Sequence, residues 1–334
     1  MGLLDKLMIK YTQRQIKRNF YLGYGKESGN KSILIALLGT GGPINNKIRI
    51  AATGISVLSE NVFLLFDCGS GVGRNADILR LPTRNLTKVF LTHFHSDHIA
   101  DLGEVSFGSW VRGRNEPLEI YGPEKVQDIV EGYARAYSHD FAYRTLHHGE
   151  EIMPYNASKM IARPFSIPPR SETEKDPVKI QVCEEKEYKV WALEADHGPV
   201  RPAVSYCIEI RGKKIVILGD GNYHEYLTDF CKDADIIIAN TISHEIAGII
   251  SEATREMGQF RYAKITKDIC NYHMNPVQAA TLAHDSNAKK LILIHVTPPI
   301  FNRIIKKRYI RGVKKIYDGP IVIGKDRMII HLKS

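Results

Sequence analysis

The apolar positions of this chain fall into short runs that end in glycine turns or in polar side chains. The segment ILIALLGTGGP, residues 33 to 43, predicts a buried strand and a glycine turn, because its apolar run is short and unbroken. Comparable runs predict further strands. They are SVLSENVFLLFDCGSG, KVFLTH, KVWALEADH, AVSYCIEIRG, KKIVILGDG, ADIIIANT, KKLILIHV and a last strand pair, GPIVIG and RMIIHL.

Two segments between the strands have helical patterns. EKVQDIVEGYARAYS, residues 124 to 138, predicts one helix, and NPVQAATLAHDSN predicts another. In the second helix, Asn275 is suited to cap the N-terminus and Pro276 to occupy the first turn. Strands come first and mixed strand–helix units follow, and this order occurs twice. The order predicts an α/β fold with two sheets packed face to face and helices outside.

Residues 1–27 predict a basic amphipathic helix that leads into one domain over residues 28–334. One helical face is apolar, with Leu3, Leu4, Leu7, Met8 and Tyr11, and basic side chains fill much of the rest. The segment lacks the long apolar core of a signal peptide. A helix packed on the domain is favoured over the alternative, a helix lying in a membrane surface. A surface excursion is expected around residues 140–187, because residues 163–187 are rich in proline and charge.

The composition narrows the class of protein. The chain has 334 residues, 43% of them hydrophobic and 25% charged, which suits one large layered domain. Its net charge of +9 favours attraction to anions such as nucleic acid, phosphate or sulfate esters, or anionic lipid. No apolar run is long enough for a transmembrane helix, and five scattered cysteines predict no disulfide framework. A cytoplasmic protein is expected, membrane-peripheral if the leader binds lipid.

The segment HFHSDH begins at the last residue of the predicted strand KVFLTH and carries the strongest chemical signal. His93 and His95 are two residues apart in extended chain, so both imidazoles can face one point, and Asp97 with His98 can face a second. Imidazole and carboxylate are good ligands for Zn²⁺, iron and manganese. Three further polar residues each follow an apolar strand: His197, Asp220 and His295. Together these positions predict a metal site.

HFHSDH resembles the HxHxDH signature of the metallo-β-lactamase fold hydrolases, and the resemblance extends from about residue 33 to 334. It implies a four-layer αββα sandwich that holds two divalent metal ions, expected to be Zn²⁺. Position by position, it implies a first metal bound by His93, His95 and His197, and a second bound by Asp97, His98 and His295. Asp220 then corresponds to the carboxylate that bridges the two metals.

The bridging aspartate and an all-histidine first site resemble the ribonuclease Z-like branch, and so does LLGTGGP. In that branch His273 corresponds to a catalytic residue that contacts the substrate; the alternative is a solvated histidine at a helix entry. The branch usually has threonine after the bridging aspartate, where this chain has Gly221, so a hydroxyl partner of the site is missing.

Two functions are distinguished within the branch. Its tRNA-processing members carry a long arm between the third histidine and the bridging aspartate. Here 22 residues separate His197 from Asp220, and two predicted strands use them. SWVRGRNEPLEIYGPE, YRTLHHGEEIMP, HVTPP and IYDGPIVIG instead resemble the arylsulfatase-like members. The favoured function is therefore a dinuclear hydrolase of small anionic esters, aryl sulfates or phosphodiesters, and the alternative is a ribonuclease Z-type endoribonuclease acting on tRNA 3′ ends.

The expected mechanism assigns catalytic roles to two residues. A metal-activated hydroxide attacks the ester, Asp97 orients it or accepts its proton, and His273 stabilises or protonates the leaving oxygen.

A non-enzymatic metal-binding protein ranks last among the functions, because structural zinc favours closed, thiolate-rich sites. His147 and His148 either line the pocket mouth or form an exposed pair. The run KKRYIRGVKK is either a solvated face or a phosphate-backbone contact, and a homodimer is a further expectation.

Overall fold

The computed structural model describes residues 2–20, 32–43, 48–168 and 178–333. Its strands lie where the apolar runs predict them, with additional strands between and after those runs. They are β1 (Ile33–Gly39), β2 (Gly54–Leu58), β3 (Phe63–Phe66), β4 (Lys88–Phe90), β5 (Leu118–Pro123), β6 (Met160–Phe165), β7 (Ile180–Glu185), β8 (Tyr188–Glu194), β9 (Val204–Ile210), β10 (Lys213–Leu218), β11 (Ile236–Ile242), β12 (Leu291–Thr297), β13 (Ile321–Ile323) and β14 (Met328–Leu332).

The helices range from single turns to six turns. They are α1 (Leu3–Phe20), α2 (Val72–Ile78), α3 (Ser96–Ile99), α4 (Leu102–Val111), α5 (Val126–His148), α6 (Tyr155–Ser158), α7 (Leu227–Cys231), α8 (His244–Glu256), α9 (Phe260–Asp268), α10 (Pro276–Asp285), α11 (Arg303–Tyr309) and α12 (Val313–Ile316). Helix α10 begins as predicted. The Asn275 side chain accepts hydrogen bonds from the backbone N–H groups of Val277 and Gln278, and the Gln278 side chain accepts one from the Asn275 backbone N–H.

Within the described ranges, the strands form two seven-stranded mixed sheets. The order in the first sheet is β14-β1-β2-β3-β4-β5-β6, and in the second it is β13-β12-β11-β10-β9-β8-β7. Strands β3 to β6 are parallel to one another, and so are β10 to β13. The carboxyl ends of these parallel strands therefore collect at one edge of each sheet, which is where catalytic side chains collect in layered α/β folds.

The apolar core has three layers, which makes the molecule a four-layer sandwich. The central layer lies between the sheets and includes Ile35, Phe66 and Ile217, each at most 1% exposed. A second layer packs the other face of the first sheet against α2, α4 and α5. A third packs the second sheet against helices that include α7 and α10. Because helices and the opposite sheet cover both faces of the central strands, their sequences are unbroken apolar runs. The predicted αββα architecture is confirmed.

The last two strands do not pair with each other as predicted. Strand β13 joins β12 in the second sheet, whereas β14 joins β1 in the first, with Ile33 opposite Leu332. The turn between them crosses from sheet to sheet: Gly324 N–H donates to Leu293 O, and Arg327 N–H donates to Leu37 O. Asp326 in this turn accepts hydrogen bonds from the backbone of Thr40, Ile50 and Ala51, which holds the glycine turn after β1 in place.

The region of the expected surface excursion contains regular structure at both ends. Helix α5 runs to His148, ten residues beyond the predicted end at 138, and β6 and β7 are the edge strands of the two sheets. Each strand exposes three of its six side chains, so their sequences lack the apolar runs that reveal the central strands. Residues 169–177, the middle of the excursion, lie outside the described residues.

Helix α1 presents its apolar face to solvent. Leu3 and Leu4 are 78% and 74% exposed, and Leu7, Met8 and Tyr11 are also exposed. The favoured expectation of a helix packed on the domain therefore receives no support from these side chains. None of the helices in the described ranges combines the length and apolar character that crossing a membrane requires.

Candidate metal centre

All seven predicted ligands meet at the edge where the strand ends collect. Asp97 and His98 lie in the single-turn helix α3 directly after His95, whose backbone is extended. His197 follows β8, Asp220 follows β10, and His295 lies near the end of β12. Six of the seven side chains are buried, and His95 is exposed. The cluster is therefore enclosed by protein and opens to solvent beside His95.

The first group of donors comprises His93, His95, His197 and Asp220, whose ligand atoms all lie within 4.8 Å of one another. Nδ1 of His95 is 3.0 Å from Nε2 of His93 and 3.4 Å from Nε2 of His197. Oδ2 of Asp220 lies 4.0 Å and 3.9 Å from the Nε2 atoms of His93 and His197. Three imidazoles and a carboxylate thus surround one point.

The second group comprises Asp97, His98 and His295. Nε2 of His295 is 3.2 Å from Oδ2 of Asp97, and Nε2 of His98 is 3.7 Å from the same oxygen. Oδ2 of Asp220 is 3.4 Å from both of these Nε2 atoms. One oxygen of Asp220 therefore adjoins both groups, which is the position of a bridging ligand.

The donor set fits divalent cations. Nε2 of His98 is buried and has no hydrogen-bond partner among the described residues, although a buried polar atom normally has one. The opposite nitrogen of the same ring, Nδ1, lies 2.8 Å from Oδ2 of Asp67, so Nε2 is left to face the cluster. Imidazole nitrogen and carboxylate oxygen are ligands that zinc, iron and manganese accept.

A set of outer contacts fixes the orientation of the imidazoles. Asp67 contacts His98 and also accepts hydrogen bonds from the backbone N–H and hydroxyl of Thr92. The Thr92 hydroxyl lies 3.1 Å from Nδ1 of His93, and Nδ1 of His197 lies 3.0 Å from the carbonyl oxygen of Tyr272. Partners of this kind select the tautomer of a metal-binding histidine and hold its ring in place.

Two glycines let the neighbouring loops approach the cluster. A Cβ at Gly69 would lie 2.1 Å from the carbonyl oxygen of Asp97, closer than any side chain permits. A Cβ at Gly42 would lie 3.1 Å from the ring of His295, tighter than most real contacts. The glycine turns after β1 and β3 are therefore part of the wall around the site.

Asn240 supplies an outer contact to the shared carboxylate. Its side-chain amide donates a 2.6 Å hydrogen bond to Oδ1 of Asp220, which leaves Oδ2 directed at both donor groups. The hydroxyl expected after the aspartate is absent at Gly221, and a Cβ there would lie 3.2 Å from the carbonyl oxygen of Asp196. A side chain at 221 would crowd this carbonyl oxygen, and Asn240 contacts the Asp220 carboxylate from the adjacent strand instead.

We predict that Asn240→Ala weakens metal binding by about 10- to 100-fold, the usual cost of losing an outer partner of a metal ligand. Without the amide, the Asp220 carboxylate loses the hydrogen bond that fixes its rotation. Competition titration against a chelator measures the affinity, with the exposed Asn156→Ala as matched control. Equal affinities of the Asn240→Ala variant and the wild type would contradict the orienting role.

His273 lies against the shared carboxylate rather than at a solvated helix entry. It is 5% exposed, and its Nε2 atom lies 3.1 Å from Oδ2 of Asp220. Nδ1 of His273 lies 2.9 Å from the carbonyl oxygen of Ile269, and the His273 carbonyl oxygen lies 2.8 Å from Nε2 of His244. Ile269 thus holds the ring of His273 and His244 holds its backbone, as suits a residue that must keep one position.

Burial and neighbouring charges shift the pKa values of several donors. Burial lowers the pKa of His93 well below its ordinary value and that of His197 to about 4, so both are neutral at pH 7. Burial alone would raise the pKa of Asp220, but His295, His98 and His273 hold it well below its usual range. Burial would also lower the pKa of His98, yet Asp67 and Asp220 raise it overall.

His147 and His148 take no part in the cluster. Both are exposed in the last turn of α5, and neither belongs to a group of potential metal ligands among the described residues.

Asp67 and Asn240 contribute to the site but were missed in the sequence interpretation. Asp67 follows the apolar run FLLF, the same signal that identified His197, Asp220 and His295, and Asn240 is a polar residue inside the run IIIANTI.

Comparison with known proteins places this geometry in a family. The profile of the Beta-lactamase superfamily domain matches residues 63–296. Ribonuclease Z of Mycobacterium bovis is 31% identical over 269 residues, covering 80% of this chain and 86% of the relative. Ribonuclease Z of Mycobacterium marinum is 30% identical over 279 residues, covering 80% of this chain and 88% of the relative.

Solved structures agree on the fold. The metallo-β-lactamase fold protein YhfI of Bacillus subtilis has a TM-score of 0.61 and 20% identity, covering 90% of this chain and 100% of that one. The short form of human tRNase Z also has a TM-score of 0.61 and 20% identity, with 89% and 98% coverage. At such identities the likeness concerns the architecture alone.

Proposed function

Because this chain belongs to the β-lactamase superfamily, in its ribonuclease Z-like branch, we propose that it is a metal-dependent endoribonuclease that hydrolyses phosphodiester bonds at tRNA 3′ ends. The observation that carries the hydrolase proposal is the shared Oδ2 of Asp220, 3.4 Å from His98 and His295 and within 4.0 Å of His93 and His197. The choice of RNA rests on the relatives named ribonuclease Z.

We propose two divalent metal ions, Zn²⁺ in preference, as the cofactors. His93, His95 and His197 would hold the first, Asp97, His98 and His295 the second, and Asp220 both. Metal ions so bound would supply hydroxide at neutral pH and polarise the phosphoryl oxygens. Six nitrogen and carboxylate donors in addition to the shared Asp220 are enough for two ions, and imidazole-rich donor sets suit zinc.

The chain's own side chains would position and move protons. Asp97, buried at the second group, is placed to orient the attacking water or to accept its proton at Oδ2. His273 is the proposed donor toward the leaving oxygen through Nε2, which lies at the cluster while Ile269 O holds Nδ1. Exposed His95 marks the side from which a large substrate reaches the buried groups.

Hydrolysis of small anionic esters is the second candidate, favoured by one feature of the fold. Strands β9 and β10, which fill the interval between His197 and Asp220, form a hairpin joined by the two residues Arg211 and Gly212. No long arm for gripping tRNA therefore lies in that interval. The resemblance to arylsulfatase-like members receives no support from the relatives described above, so a small phosphodiester is the stronger form of this candidate.

An assay of three substrates on one metal-quantified preparation tests the proposal. We expect precursor tRNA to be cut at one site near its 3′ end, and bis(p-nitrophenyl) phosphate to be hydrolysed more slowly. An aryl sulfate should remain intact. Turnover of a small ester with intact precursor tRNA would replace the endoribonuclease by the second candidate. Bound metal with no turnover of any of the three substrates would contradict both.

Two partners beyond the substrate are also proposed. Exposed Leu3, Leu7 and Tyr11, flanked by Lys6 and Lys10, suit contact of α1 with an anionic lipid surface. Co-sedimentation with phosphatidylserine-containing vesicles tests this contact, and equal recovery with neutral vesicles would contradict the role of charge.

A homodimer is the second proposal, and light scattering of the purified protein measures the mass of the assembly directly.

A further inference from the structure

We propose that residues 303–315, here called the basic segment, bind the phosphate backbone of the RNA substrate beside the metal centre. The inference rests on the proposed function and adds to it a surface that holds the RNA. The segment comprises α11, a glycine turn and α12. It carries seven cationic residues and no aspartate or glutamate: Arg303, Lys306, Lys307, Arg308, Arg311, Lys314 and Lys315.

The basic segment is anchored to the elements that carry the site. The hydroxyl of Tyr309, buried in α11, donates to the carbonyl oxygen of Thr241, the residue after Asn240 in β11. The guanidinium groups of Arg308 and Arg311 both reach Glu245, at 2.7 Å and 3.0 Å. The segment thus packs against β11 and the start of α8.

A short series of contacts leads from this anchor to the proposed catalytic group. Glu245 follows His244, whose Nε2 atom lies 2.8 Å from the carbonyl oxygen of His273. His273 in turn contacts Asp220 at 3.1 Å. In sequence, the segment begins eight residues after His295. Arg308 and Arg311 are therefore connected to the metal centre through the Glu245, His244 and His273 contacts.

The charge of the basic segment is largely uncompensated. All seven cationic side chains are exposed, and Glu245 pairs with two of them. Arg303, Lys306 and Lys307 form no ion pair within the part of the chain that the structure describes. Like charges held close together repel one another, and a polyanion removes that repulsion while releasing its own counterions.

Exposed non-polar side chains adjoin the charges. Phe301 is 63% exposed and Ile304 is 78% exposed, although Phe301 is large enough to be buried in most proteins. An exposed aromatic ring beside cationic groups is the combination on which unpaired bases stack. A precursor tRNA presents such bases at its single-stranded 3′ end, next to a duplex whose phosphates the lysines and arginines would meet.

The double variant Lys306→Glu/Lys307→Glu tests the inference on the metal-loaded enzyme. Binding of mature tRNA, which carries no 3′ extension to remove, is measured over a range of salt concentrations. We expect affinity to fall at least about 10-fold and the slope of log K against log salt to become shallower by about 1 to 2. Turnover of bis(p-nitrophenyl) phosphate should stay at the wild-type rate, because the substitutions lie outside the metal centre.

The matched control is Lys186→Glu/Lys232→Glu. Both lysines are exposed, and they precede β8 and β11 at the ends of these strands that lie away from the metal centre. The control should keep the wild-type affinity and salt slope. Equal binding by wild type and the Lys306→Glu/Lys307→Glu variant would overturn the inference, and so would a wild type that binds no tRNA. Weaker binding by the variant, with no cleavage of precursor tRNA by wild type, would retain the RNA surface and reject the endoribonuclease.

Discussion

Asp97→Ala is expected to reduce turnover of precursor tRNA and of bis(p-nitrophenyl) phosphate by roughly 10²- to 10⁴-fold, the range in which general acid–base catalysis contributes. The carboxylate lies within the second donor group, with Oδ2 3.2 Å from Nε2 of His295. Burial would raise the pKa of Asp97, but His295 and His98 lower it overall, so the carboxylate is ionised and able to accept a proton at neutral pH.

Asp97→Asn separates proton transfer from metal binding. The amide keeps the volume and one oxygen of the side chain but cannot act as a base. Single-turnover rates of both variants are measured after metal content is determined by mass spectrometry, with Asp128→Ala, at an exposed position of α5, as control. Full activity of Asp97→Ala with the wild-type metal content would show that the proposed mechanism is wrong.

Asp220→Asn is expected to lower metal content from the proposed two ions per chain to at most one. Activity should fall by more than the roughly 10- to 100-fold that loss of an outer partner costs, because Asp220 contacts the metals directly in the proposal. The carboxylate is 2% exposed, and His93, His98, His197, His273 and His295 all approach its Oδ2 atom within 4.0 Å. No other described carboxylate adjoins both donor groups.

A buried aspartate at the opposite edge provides the matched control. Asp235 is 8% exposed, pairs with Lys289 and accepts the backbone N–H of Lys214. Asp235→Asn should lower stability while leaving metal content and turnover per folded molecule unchanged. His147→Ala/His148→Ala should change neither quantity, because both rings are exposed on α5. Two tightly bound metals in Asp220→Asn would contradict the shared ligand.

The sequence predicted the seven clustered residues because each interrupts or follows an apolar run. In a sheet covered on both faces, an unbroken run such as KKLILI leaves no structural use for His295 at its end, so the polar side chain stands out. Burial on both faces does not, however, reveal which sheet a strand joins. Strands β13 and β14 are both short and partly buried, and nothing in IVI or MIIHL specifies which sheet each one joins.

Contacts between distant elements account for the rest of what the sequence did not reveal. Asn240 has a role only because β11 lies beside β10, which brings its amide within 2.6 Å of Asp220. Gly221 indicated that Asp220 lacks a hydroxyl partner, but the sequence did not reveal that Asn240, on another strand, contacts the same carboxylate. His147 and His148 were expected either to line the pocket mouth or to form an exposed pair, and the ten additional residues of α5 place them on an exposed helical turn.

The pairing of β14 with β1 has a consequence for synthesis of the chain. Strand β1 leaves the ribosome almost 300 residues before its partner on one side, residues 328–332. During that interval the apolar strand ILIALLG has an open edge, which is the kind of surface through which nascent chains associate with one another. Completion of the first sheet therefore waits until residues 328–332 have been synthesised. Chaperone protection of β1 should matter more for this protein's yield than for one whose early strands pair with each other.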